Sequence, residues 1–142
     1  MKNSLPAWDQ IEIGAQLGEL VKTPDSTQIF MFSAITWNRH AIHYDKQRAL
    51  SEGLPDIVVQ RALIGNFFAQ FLEQSLASKG DIRRLEWKVV RSAVPGDTLT
   101  CRGVVTRKET EGEKKFVRCE IEMTNQKAES IASGDATLIL DA

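Results

Sequence analysis

The chain carries two histidines, His40 and His43, three residues apart in the run TWNRHAIHYD. Histidine is the side chain whose ordinary pKa lies closest to neutral pH. Two of them beside Asn38, Tyr44 and Asp45 therefore form the clearest cluster of proton-handling residues in the sequence. If this stretch is helical, a spacing of three puts both imidazoles on one face. Three chemistries are open from the residues alone. The cluster can be a polar turn with no chemistry, a general acid–base site, or a metal site, since two His and one Asp can bind zinc. The metal reading lacks an obvious further ligand elsewhere in the chain. Asp45 can orient an imidazole or cap the next helix, and capping is the reading adopted.

The flanking elements must hold this cluster in place. Pro24-Asp25-Ser26 marks a turn and a helix N-cap. Thr27 to Thr36 is apolar and partly β-branched, which fits a helix or a strand. Tyr44 to Glu52 reads as a polar helix ending at Gly53, with a turn at Leu54-Pro55-Asp56. Ile57, Val58 and Val59 then lead into the strongest helical pattern, Ile64, Phe67, Phe68, Phe71, Leu72 and Leu76. Lys79-Gly80 supplies its expected stop. Gly65 inside it costs about 1 kcal/mol relative to Ala, which close approach of a strand or of a bound chain, or equally a plain packing contact, would explain.

After Gly80 the apolar period changes to two. Leu85, Trp87 and Val89 alternate with charged residues, as do Val117, Cys119, Ile121 and Met123. Ala93 to Asp97 and Glu111-Gly112-Glu113 are turns between such runs, and a short strand is expected near Leu17–Val21. The layout predicts an α+β fold, one curved antiparallel sheet wrapped around one long helix, with residues 1–142 as a single domain. A chain of 142 residues suits one domain and can bury a core without staples. A net charge of -1 excludes the basic footprint of a nucleic-acid binder. Cys101 and Cys119 lie in strand-like runs and read as buried, reduced thiols. With no secretory leader in evidence and no apolar run near the ~18 residues a membrane span requires, a cytoplasmic location off the membrane is expected.

The segment FSAITWNRHAIHYDKQRALSEGLPDIVVQ, residues 32–60, resembles the signature region of MaoC-like and (R)-specific hydratases. It is most similar to the branch of the fungal mitochondrial 3-hydroxyacyl-thioester dehydratases. AVPGDTLTCRGVV and MTNQKAESIASGDATLIL resemble that family's turn, following strand and closing hairpin. The resemblance runs through residues 30–140 in order. It implies a hot-dog fold and, without cofactor or metal, the reversible hydration of an enoyl thioester or dehydration of a 3-hydroxyacyl thioester.

The family's dyad is an Asp and a His five positions apart, holding one water above the central helix. The resemblance puts His43 at the dyad histidine, whereas Asn38 stands where Asp is usual. A neutral amide can orient water but cannot act as a base. His40 falls at a supporting position that touches substrate. Gln60 matches the first residue of the His-Gly or Gln-Gly pair at the start of the central helix, where a backbone N–H polarises the thioester carbonyl. Arg61 replaces the glycine and is a cation able to meet an acyl-CoA or a carboxylate. Lys88, Arg91 and Arg102 form either a phosphate patch for CoA or ordinary solvated strand faces. The implied partners are an acyl-CoA, or less favourably an acyl-carrier thioester, and a second hot-dog subunit, identical or related. The rival reading is a non-catalytic thioester-binding subunit that needs such a partner; a thioesterase is third, with Glu73 the one carboxylate on the helix.

Overall fold

The computed structural model describes residues 4–141. The chain runs through β1 (Gln16–Lys22), α1 (Ser26–Thr36), α2 (Lys46–Ser51), α3 (Arg61–Leu76), β2 (Gly80–Val89), β3 (Leu99–Glu111), β4 (Lys114–Thr124) and β5 (Ser130–Leu140). The five strands form one antiparallel sheet in the order β1-β3-β4-β5-β2. The expected α+β arrangement, one long helix against one curved sheet, is therefore observed.

Alternation in β3, β4 and β5 sends Cys101, Val105, Val117, Cys119, Met123, Ala136 and Leu138 to the inner face. There they meet Ile64, Phe67, Phe68, Phe71 and Leu72 of α3, so helical and strand periodicities bury one common core. The three phenylalanines are core, as their spacing predicted. The cysteines are free and buried, and burial pushes both thiols up to about 12. Gly112 and Glu113 connect Glu111 to its partner Lys114 as a two-residue hairpin turn. Among the described residues no helix is long and apolar enough to cross a membrane.

One open reading is settled and one local expectation changes. Thr27–Thr36, open between helix and strand, lies within α1, because Asp25 caps its start by accepting from the Gln28 N–H at 2.7 Å. α3 stops at Leu76 rather than at Lys79-Gly80. Ala77 turns into the left-handed region at φ 49° and Ser78 follows at φ 62°. Gly80 is the first residue of β2, whose pairing with β5 recruits it.

Candidate active site

α1 ends at Thr36 with Trp37 as its C-cap, left-handed at φ 57°, and the chain then turns back over the helix's last residues. Asn38 N–H donates to the Ser33 carbonyl at 3.0 Å, and Asn38 Oδ1 accepts from the His40 N–H at 3.3 Å. Asn38 thus shapes the turn with its side-chain oxygen. Ala41–His43 form a single 3-10 turn, so the histidines do not share an α-helical face. They still meet: their ring centres are 5.9 Å apart with the planes at 83°. Tyr44 closes the loop by donating its hydroxyl to the Arg39 carbonyl at 2.7 Å.

His43 is buried, at 7% exposure, and its Nδ1 lies 2.7 Å from the Val58 carbonyl oxygen. A carbonyl only accepts, so Nδ1 carries the hydrogen and Nε2 keeps its lone pair. The Val58 N–H in turn donates to the Ile42 carbonyl at 3.1 Å. These two bonds fix the histidine loop against the stretch that enters α3. Burial lowers the His43 pKa, and charge on His40 lowers it further, against an opposing effect of the Val58 hydrogen bond. His43 is therefore a neutral imidazole at neutral pH with one nitrogen ready to accept a proton. Asp45 caps α2, accepting from the Arg48 N–H at 3.1 Å, as its sequence position predicted.

Gln60 is the N-cap residue of α3 and is fully buried, but its side chain caps nothing. Its amide nitrogen donates to the Ile29 carbonyl at 2.7 Å and to Ser33 Oγ at 2.8 Å, tying α1 to the start of α3. Its Oε1 has no partner among the described residues. Among the described residues the N-cap side chain makes no hydrogen bond to the N-terminus of α3, where backbone N–H groups and the helix dipole favour negative charge. The Val58 carbonyl that orients His43 lies two residues before this cap.

The structure brings Asn38, His40 and His43 together in one loop, and Gln60 lies two residues beyond the Val58 that His43 bonds. Arg61 and Gly65 are committed elsewhere. Arg61 Nη2 donates to the Trp87 carbonyl at 2.9 Å, and its guanidinium lies 4.8 Å from the centre of the Trp87 ring. Trp87 Nε1 donates to the Arg61 carbonyl at 3.0 Å. A Cβ on Gly65 would fall 2.1 Å from Trp87 Cζ2. Of the reasons raised for this glycine, the one realised is a packing contact, with the Trp87 side chain of β2. Arg61 is engaged by the same strand, because β2 passes the first turns of α3. Arg91 pairs with Glu129 and Arg102 with Glu19, so these two cations sit on solvated faces. Glu73 is exposed near the C-terminal end of α3.

The sequence reading did not single out Glu52. Its Oε2 lies 3.5 Å from His40 Nε2 and its Oε1 2.7 Å from Arg48 Nε. The Arg48–Glu52 spacing of four is legible as a helix pair, but nothing in twelve residues of separation links Glu52 to His40. A groove of about 900 Å³ crosses the outer face of the sheet, lined by Glu86, Lys88, Arg102, Glu120, Glu122 and Asp135 among others. It contains neither histidine, and charged side chains of the outer sheet face line much of it.

Residues 15–95, more than half of the chain, match the family described as hydroxyacyl-thioester dehydratase type 2. A mesaconyl-C(4)-CoA hydratase of Chloroflexus aurantiacus is 38% identical over 63 residues, which are 42% of this chain and 22% of that protein. The match thus spans about a fifth of that relative's length. Among solved structures, an (R)-hydratase of Pseudomonas aeruginosa superposes with a TM-score of 0.82 at 17% identity, over 94% of this chain and 84% of that one. A chain of the ChsH1–ChsH2 complex of Mycobacterium tuberculosis gives 0.80 at 20% identity, over 91% and 98%. At such identities the likeness is one of fold, and that fold is the hot-dog fold.

Proposed function

The chain belongs to the hydroxyacyl-thioester dehydratase type 2 family, and from that premise we propose that it is a hydro-lyase that reversibly adds water to an enoyl thioester, with coenzyme A as the thiol carrier. One observation carries the reading. His43 is a buried, neutral imidazole whose Nδ1–H is fixed on Val58, two residues before an uncapped helix N-terminus. A base and a group of oxyanion donors are thereby held by the same backbone stretch.

The residues act as follows. The thioester carbonyl accepts from a free N–H in the first turn of α3, with the helix dipole behind it. His43 Nε2 takes a proton from water as the oxygen bonds to C3. The π electrons of the C2–C3 bond pass to C2 and onto the thioester oxygen as an enolate, which the helix terminus stabilises. A proton delivered to C2 completes the 3-hydroxyacyl thioester; dehydration is the reverse. Asn38 shapes the loop and orients polar groups near the reaction, Gln60 holds α1 against the oxyanion end of α3, and His40 stands beside the reacting imidazole. Arg61 and Gly65 contribute by seating α3 on β2 rather than by touching the acyl group. We take residues 1–142 as one domain. We further propose that it pairs with a second hot-dog subunit through the free edge of β2, since an exposed edge strand invites pairing.

A second reading has its own support. Asn38 stands where the family dyad has an acid, and Arg61 is held by Trp87 rather than turned toward a ligand. A thioester-binding subunit completed by a related partner fits both facts.

The test follows enoyl absorbance when the purified chain meets a panel of enoyl-CoAs, with His43→Ala and Asn38→Ala run alongside. Hydration that falls by about 10² to 10⁴-fold in His43→Ala is expected for loss of a general base. No turnover by the folded parent on any substrate refutes the enzyme reading and leaves the partner-dependent subunit.

A further inference from the structure

The hydration reaction, if assigned as above, needs a proton taken from water and a proton given to C2. Asn38 can do neither, because an amide neither gains nor loses a proton near neutral pH. His40 lies with its ring centre 5.9 Å from that of His43, edge to face at 83°, a spacing one water molecule can bridge. Its Nε2 faces Glu52 Oε2 at 3.5 Å. Glu52 does not swing freely, since Arg48 grips its other oxygen at 2.7 Å within α2. Asp45 holds α2 in place by capping it. The row Arg48–Glu52–His40–His43–Val58 is thus a chain of oriented polar groups running from solvent to the buried imidazole. His40 is exposed and faces the Glu52 carboxylate, whereas His43 is buried and faces the Val58 carbonyl.

We propose that the acid–base pair of this chain is His43 with His40, and that Glu52 is the positioning residue that aims His40. The proposal rests on the hydratase reading. In the forward direction His43 Nε2 receives the water proton while oxygen bonds to C3. Protonated His40 gives its proton to C2 and becomes neutral. The proton now on His43 Nε2 passes to His40 through a water between the rings, which restores both groups. No proton is gained or lost beyond those of the water added.

The experiment measures kcat and KM on an enoyl-CoA that the parent hydrates. The variants are His43→Ala, His40→Ala, Glu52→Gln and the double variant Asn38→Asp with His40→Ala, each checked for folding by circular dichroism and thermal melting. Removing a proton-transfer group costs about 10² to 10⁴-fold, so His40→Ala is expected to lower kcat by about 100-fold with KM changed by less than about threefold. Loss of an orienting partner costs less, and Glu52→Gln is expected to lower kcat by about tenfold. Asn38→Asp in the His40→Ala background restores an acid–base group five residues before His43 and is expected to recover about tenfold. That rescue separates chemistry from structure, since a carboxylate at position 38 does not repair a packing defect at position 40. A His40→Ala variant within about twofold of the parent overturns the proposal, as does a loss that Asn38→Asp leaves unrecovered. An unchanged kcat in Glu52→Gln overturns the role of Glu52. An active parent silenced by His43→Ala but indifferent to His40→Ala sinks this proposal alone; an inactive parent sinks it together with the hydratase reading.

Discussion

Replacing Gly65 by alanine sets two effects against each other, and the structure says which wins. Alanine in a helix interior is favoured over glycine by about 1 kcal/mol. The new methyl would fall 2.1, 2.5 and 2.6 Å from three atoms of the Trp87 indole, where carbon contacts settle at about 3.5–4.0 Å. The ring must therefore retreat by more than 1 Å. It cannot do so freely, because Nε1 donates to the Arg61 carbonyl at 3.0 Å and the guanidinium of Arg61 lies over its face. Overpacking of this kind costs about 1–3 kcal/mol, the hydrogen bond about 1 kcal/mol and the cation–π contact about 0.5–1 kcal/mol. After subtracting the propensity gain, Gly65→Ala is expected to destabilise the fold by about 1.5–4 kcal/mol. For a domain of this size that lowers Tm by roughly 5–13 °C. Urea melts of Gly65→Ala, Trp87→Leu and the double variant form a cycle in which the two changes couple favourably, because a shorter side chain leaves room for the methyl. A stabilised Gly65→Ala, or singles that simply add, would refute the reasoning that β2 is the reason for this glycine.

Four further outcomes follow. Because the folded state lowers the His43 pKa below its ordinary 6.5, the unfolded chain binds more protons just under that pH; the stability due to neutral His43 is whole above pH 6.5 and drains as pH falls through the folded pKa, which urea midpoints at pH 5–8 would register as a rise with pH. The rate of hydration is expected to fall on the same acidic side as Nε2 becomes protonated, and a rate that rises toward pH 5 would contradict the assigned tautomer. Gln60→Leu, which keeps bulk but strips both donors from Ile29 and Ser33, is expected to lower stability by about 1–3 kcal/mol and to raise amide exchange in α1 more than in the sheet, as hydrogen-exchange mass spectrometry would report. With both thiols pushed up to about 12 by burial, Cys101 and Cys119 are expected to ignore a disulfide reagent at pH 8 until urea unfolds the chain, whereas reaction at native rates would place one of them at the surface.

Much of this protein is set by its sequence. Periods of 3.6 and 2 in the apolar residues determined α3 and the strands, because each pattern buries one face only in its own element. The spacing of Asp25 and Asp45 before polar or apolar runs determined two helix starts, since a carboxylate at that position satisfies a backbone N–H that would otherwise be free. Clustering of Asn38, His40 and His43 marked the candidate site, because neighbours in the chain cannot be far apart in space. What lay outside that reach depended on contacts between distant segments. The end of α3 at Leu76, capped by a left-handed Ala77, goes with β2 joining β5 from Gly80, against the glycine stop that local chemistry favours. Gly65 and Arg61 acquired their roles from Trp87, more than twenty residues away, which no local pattern announces. Glu52 came to His40 only when α2 folded back against the loop that precedes it. The tautomer of His43 was fixed by the carbonyl of Val58, a group that every residue carries and that sequence alone cannot distinguish. Side-chain type and spacing are local properties and can be read from the chain; the direction in which a ring nitrogen points is set by whichever distant backbone group the fold presents to it.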